Sequence, residues 1–135
     1  RTIVAVGHAG SGRRTLLCTV FPEAVWPSRN RERSITVTVD LVPDGEPRPP
    51  QVRFSRDETV NSVAGAWAQA WGADWSDVPA TNSGALQQWL DSCVTQWHDL
   101  CDVATMPTAA LRMHVRVYGP DLPRVRLVRP PPYIA

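Results

Sequence analysis

The sequence predicts an α/β fold, a partly parallel sheet flanked by helices. Two observations carry this. The chain opens on an apolar, β-branched run, Thr2–Val6, that passes through a glycine-rich loop into a short amphipathic segment. Beyond it, stretches alternating at period two are interleaved with stripes at helical spacing, in the order β-loop-α-β-β-α-α-β-β. With 135 residues, 43% hydrophobic and 20% charged, the chain has the make-up of one globular domain rather than a disordered segment.

Each element has its own reason. Thr2–Val6 reads as a buried parallel strand, and Gly7-His8-Ala9-Gly10-Ser11-Gly12 as a tight loop. Arg13–Phe21 follows as a helix stopped by Pro22. In Ser34–Val42, Ile35, Val37, Val39 and Leu41 alternate with Thr36, Thr38 and Asp40, the pattern of a half-buried strand. Pro43-Asp44-Gly45 makes a turn, and Gln51–Phe54 a second short strand. Ser55 and Glu58 have capping-box spacing before a stripe of Val60, Val63, Ala64, Trp67 and Trp71, which predicts a helix ending at Gly72. Ala73–Gly84 reads as a loop. A longer helix starts near Asn82 or Ser83, with Leu86, Trp89, Leu90, Cys93, Trp97, Leu100, Cys101 and Ala104 on its apolar side, and ends before Pro107. Its tryptophans read as core, not as a ligand platform. Ala110–Tyr118 alternates again, and Val125–Val128 is a last strand running into Pro130-Pro131-Pro132.

Charge and cysteine usage narrow the function classes. All 14 basic residues are arginine, and the net charge of +1 conceals a segregation. Residues 1–56 carry +4, residues 57–111 carry −7 and residues 112–135 carry +4. Solvated faces of opposite sign account for such blocks, and no nucleic-acid partner is expected. Arg124, Arg126 and Arg129 read as charges guarding an exposed sheet edge. Cys93, His98 and Cys101 cluster, but C-x4-H-x2-C on one helix is not a zinc pattern, so buried cysteines are expected. Three cysteines make no disulfide framework, and the apolar start is too short for a signal peptide, which together predict an intracellular protein, cytoplasmic or nuclear. No run approaches the roughly 20 apolar residues of a membrane span.

The motif that bears on chemistry is the loop. A phosphate-binding loop, G-x-x-x-x-G-K-[ST], lies between a strand and a helix. Its amides converge on phosphate, its lysine reaches the outer phosphates and its hydroxyl holds magnesium. Gly7, Gly10, Ser11 and Gly12 keep the glycine frame, but Arg13 stands at the lysine position, Arg14 at the hydroxyl position, and Thr15 comes one residue late. Arg13 keeps a charge on a different, planar fork. Arg14 puts a second cation where magnesium would sit. The frame points to a P-loop NTPase-like three-layer sandwich.

Val6 through Leu17, with Trp26-Pro27-Ser28-Arg29 through Val39 and Tyr118-Gly119-Pro120-Asp121-Leu122-Pro123 through Val128, resembles the N-terminal half of the G domain of the dynamin superfamily, which includes the Mx-type antiviral GTPases. The three stretches are similar to that family's P-loop (7–15), switch I (26–36) and switch II strand (121–132), with a helical layer over 55–105 between them. The resemblance implies a threonine and a DxxG motif for magnesium. The threonine position falls near Glu32 or Arg33, the aspartate at Arg129 and the glycine at Pro132. A lysine-free chain also lacks the standard guanine-reading T/N-K-x-D motif. The expectation is a catalytically decayed GTPase domain with no catalytic residues and no bound cofactor, acting as a scaffold with protein partners or in self-assembly, a viral assembly among the options. The alternative is an active NTPase or kinase that binds GTP and magnesium through Arg13 and Thr15.

Overall fold

The computed structural model describes residues 1–5, 12–27, 35–56, 74–104 and 111–130, with the side chains of 13, 14, 56, 100–104 and 111 outside that description. Along the chain run β1 (Thr2–Val4), α1 (Arg13–Val20), β2 (Thr36–Pro43), β3 (Gln51–Arg56), β4 (Ser76–Asp77), α2 (Ser83–Ala104), β5 (Leu111–Gly119) and β6 (Val125–Arg129). The strands form one mixed sheet in the order β1-β6-β2-β5-β3-β4. β1 runs parallel to β6 and β2 parallel to β5, whereas β6 on β2, β3 on β5 and β4 on β3 are antiparallel.

Period-two alternation along the strands sorts the side chains into two faces. Val37, Val39 and Leu41 of β2, Val52 and Phe54 of β3, Met113 and Val115 of β5, and Val125 and Leu127 of β6 are all buried in one cluster. α2 covers that face with Leu86, Leu90, Cys93, Val94 and Trp97, each 2% exposed or less, and Leu17 of α1 joins the same cluster. Each such side chain contributes about 1.5–3 kcal/mol relative to leaving it in water. Trp97 belongs to the core, as its place in the helical stripe predicts. So does Cys93, whose thiol is pushed up to about 12 by burial and stays protonated.

The helix ends follow local chemistry. Asn82 caps α2: its Oδ1 accepts the Ala85 N–H at 2.8 Å and its carbonyl accepts the Leu86 N–H at 3.1 Å. Gly12 precedes α1 at φ 89°, a left-handed conformation that favours glycine. The Phe21 N–H closes that helix on the Leu17 carbonyl at 2.8 Å before Pro22 prevents continuation.

Several expectations are corrected. β1 is parallel, as expected, but it is an edge strand of the described sheet and not a buried one; Val4 is 54% exposed. β6, expected at an exposed edge, lies between β1 and β2. Ser55 does not cap a helix, because β3 continues to Arg56 and the Ser55 hydroxyl shares a 3.0 Å hydrogen bond with His114 Nε2. The rest of that helix falls at 57–73, outside the described residues. Within the stretch read as a loop, Ser76–Asp77 forms β4, held by pairing with Gln51 and Val52. The described helices cover one face of the sheet, so the α/β class stands while a second helical layer is not formed by the described residues.

Candidate functional site

The parallel pairing of β1 with β6 brings the carboxyl ends of those two strands to one end of the sheet. Ala5 donates its N–H to the Val128 carbonyl at 2.9 Å, so the chain leaves β1 for the glycine loop beside the point where β6 ends at Arg129. β2 starts at the same end, since it is antiparallel to β6 with Val37 opposite Arg129. The carboxyl ends of parallel strands are where ligands of open α/β sheets bind. Of the seven candidate residues, Gly7, Gly10 and Ser11 lie outside the described residues. Gly12 sits at the start of α1, Arg13 and Arg14 form its first turn, and Thr15 is exposed, its carbonyl accepting the Thr19 hydroxyl at 2.8 Å. In the switch-I-like segment, Trp26 and Pro27 are buried and Ile35 is 1% exposed, while residues 28–34 lie outside the described residues. Of the switch-II-like positions, Arg129 is described and Pro132 is not.

Arg129 departs furthest from expectation. In place of an exposed guarding charge, it is 3% exposed, and its guanidinium lies 5.4 Å from the ring centroid of Trp26. Trp26 is itself 1% exposed, and its carbonyl accepts a hydrogen bond from Gln87 Nε2 of α2 at 3.2 Å. The cation is thus enclosed against an aromatic face, where desolvation strengthens the attraction. The position that resemblance assigns to a magnesium-holding aspartate carries a buried cation. Arg13 and Arg14 are the first two residues of α1, which follows the glycine loop in sequence.

The opposite face of the sheet is polar and collects charged and aromatic side chains that sequence reasoning did not bring together. Arg112, His114, Arg116 and Tyr118 of β5 project there, beside Thr36, Thr38 and Asp40 of β2 and Gln51, Arg53 and Ser55 of β3. Trp75, which precedes β4, covers part of this face. The Arg116 guanidinium stacks 3.9 Å from its ring centroid, Arg53 lies at 5.4 Å, and His114 meets the ring edge-on at 6.5 Å. Burial and the Arg53 charge lower the His114 pKa below its ordinary 6.5, more than Asp40 raises it. Asp40 binds Arg126 of β6 through both oxygens, at 2.8 and 3.2 Å, which holds the guanidinium charged. The Tyr118 hydroxyl donates to Gln51 Oε1 at 2.5 Å. A tryptophan in a loop facing a strand whose alternate residues are basic is the signal that could have found this cluster.

Among the described residues, no three His, Cys, Asp or Glu side chains group closely enough to hold a metal ion. No described helix is long and apolar enough to cross a membrane. Comparison with protein-family models and with curated protein sequences gives no significant match.

Proposed function

We propose that this chain is a decayed, dynamin-like G-domain half that serves as a protein-interaction module or scaffold in a larger assembly and does not hydrolyse nucleotides. The observation that carries this reading is the placement of Arg129. It ends the strand that pairs with β1, and it is turned into the core against Trp26. A cation committed to packing at that position cannot take the part of a metal-holding carboxylate, and in the sequence Arg13 and Arg14 stand where a P-loop carries its lysine and hydroxyl. The parallel β1–β6 pair, with a glycine loop and helix following β1, supports the P-loop ancestry. The interaction role is supported by three exposed large apolar side chains, Val4 of β1 and Leu16 and Val20 of α1, at 54%, 61% and 57%.

The test is phosphate release from GTP and ATP with magnesium. The purified chain is expected to release none above a protein-free blank. Release that disappears in Arg13→Ala overturns the reading and establishes an active P-loop enzyme.

A further inference from the structure

At the end of the sheet opposite the β1 carboxyl end, the β1 and β6 amino ends meet the β2 and β5 carboxyl ends around an open groove of about 470 Å³. Its charged and polar lining includes Arg1, Arg116, Arg124 and Arg126, with Asp40 and Tyr118. Four guanidiniums therefore face one carboxylate, and that carboxylate is already committed to Arg126. We propose that this groove is a binding site for a small, multiply charged oxyanion, of which a phosphorylated compound is the best fit.

Three features carry the proposal. First, two of the four cations are held in place before any ligand arrives. Arg126 spends its Nε and Nη2 on Asp40, leaving further N–H donors of its rigid fork for a second anion. Arg116 is fixed by stacking on Trp75 at 3.9 Å. Ordering long side chains in advance removes part of the entropic cost of binding. Second, the groove's volume falls in the range of small-molecule sites, which run to roughly 300–1,000 Å³. Third, the excess of guanidiniums over carboxylates matches a ligand with several negative charges, and guanidinium forks engage phosphate oxygens two at a time. The site is separate from the glycine loop and does not rest on the function proposed above.

The probe is inorganic tripolyphosphate, titrated into the full chain by calorimetry at about physiological ionic strength, where diffuse attraction is screened. Citrate run in parallel distinguishes phosphate from carboxylate chemistry. One saturable site is expected for tripolyphosphate, with citrate weaker. Arg116→Gln/Arg124→Gln lowers the affinity by about ten-fold or more, as loss of charge-assisted hydrogen bonds implies. Arg13→Gln/Arg14→Gln leaves it within about two-fold, as expected when groups outside the site do not couple to it. Arg124 is exposed, so Arg124→Glu alone serves as the second variant and is expected to weaken binding even if the double variant fails to fold. Absence of saturable binding overturns the proposal. So does binding that survives the groove variants and is lost with Arg13→Gln/Arg14→Gln, which places the anion at the glycine loop. Citrate binding more tightly than tripolyphosphate overturns the assignment to phosphate.

Discussion

Two arginines on β6, three residues apart, lie on opposite faces of the sheet and in opposite physical situations. Arg129 shares its face with Val125 and Leu127 and is enclosed against Trp26, whereas Arg126 projects from the other face and meets Asp40 with 56% of its side chain exposed. The same contrast runs through the sheet. Val37, Val39 and Leu41 of β2 are buried beneath α2, while Asp40, between them in sequence, joins an array of arginines. One face derives stability from apolar area. The other holds charged side chains in position through pairing and stacking. Residue type alone does not assign a side chain to a role; its parity along the strand and the neighbours of that strand do.

The strongest way to break this comparison is on the apolar face. Trp97→Ala is expected to cost about 3–5 kcal/mol in urea unfolding, through lost transfer energy and the cavity left under α2. A loss below about 1 kcal/mol would mean that α2 is not seated on the sheet as described. Arg129→Ala should follow at about 2 kcal/mol, since it removes a desolvated cation–π contact and the packing of the side-chain stem. Trp75→Ala, which strips the stacking from two partly exposed arginines, is expected to cost about 1 kcal/mol. Arg126→Ala should fall within about 1 kcal/mol, because the guanidinium side is 56% exposed and solvent screens the pair. Equal losses for Arg126→Ala and Arg129→Ala would erase the distinction between the faces.

A pH dependence sharpens the polar side of the comparison. The His114 pKa is lowered in the fold, so the unfolded chain binds the proton more readily. Its contribution to stability is fully present above the ordinary imidazole value and is lost as pH falls through the folded value. The urea midpoint of the native chain is therefore expected to drop between about pH 7.5 and pH 5. His114→Gln should reduce that slope. An unchanged slope would assign the dependence to other groups.

Much of the fold was legible because its signals are local. β2 and β5 were visible in their alternation, α2 in its stripe and in the Asn82 cap, and α1 in the stop at Pro22. What the sequence could not display was the order of strands. Alternation places Leu127 and Arg129 on one face of β6, but only pairing with both β1 and β2 makes that face interior. That is why Arg129 was expected at an edge, and why the isolated apolar run of β1 was expected inside. β4 carries no signal in the sequence because two polar residues have no period of their own; pairing with β3 defines it. Ser55 satisfied a capping rule locally, yet His114, distant in sequence, provides the partner it uses. The candidate loop was legible in the sequence as a glycine frame with altered charges, though Gly7, Gly10 and Ser11 lie outside the described residues. The groove was not, because Arg116, Arg124 and Arg126 meet there through strand order rather than through a motif.

The central claim is that the glycine-loop end no longer handles a magnesium nucleotide. The most direct measurement is calorimetric titration of GTP with and without magnesium. It should be made on the native chain and on Arg116→Gln/Arg124→Gln, so that any triphosphate held by the groove is identified. The account predicts that magnesium does not improve binding and that the variant retains no GTP site. Magnesium-dependent GTP binding that persists in the groove variant and disappears in Arg13→Ala would contradict it.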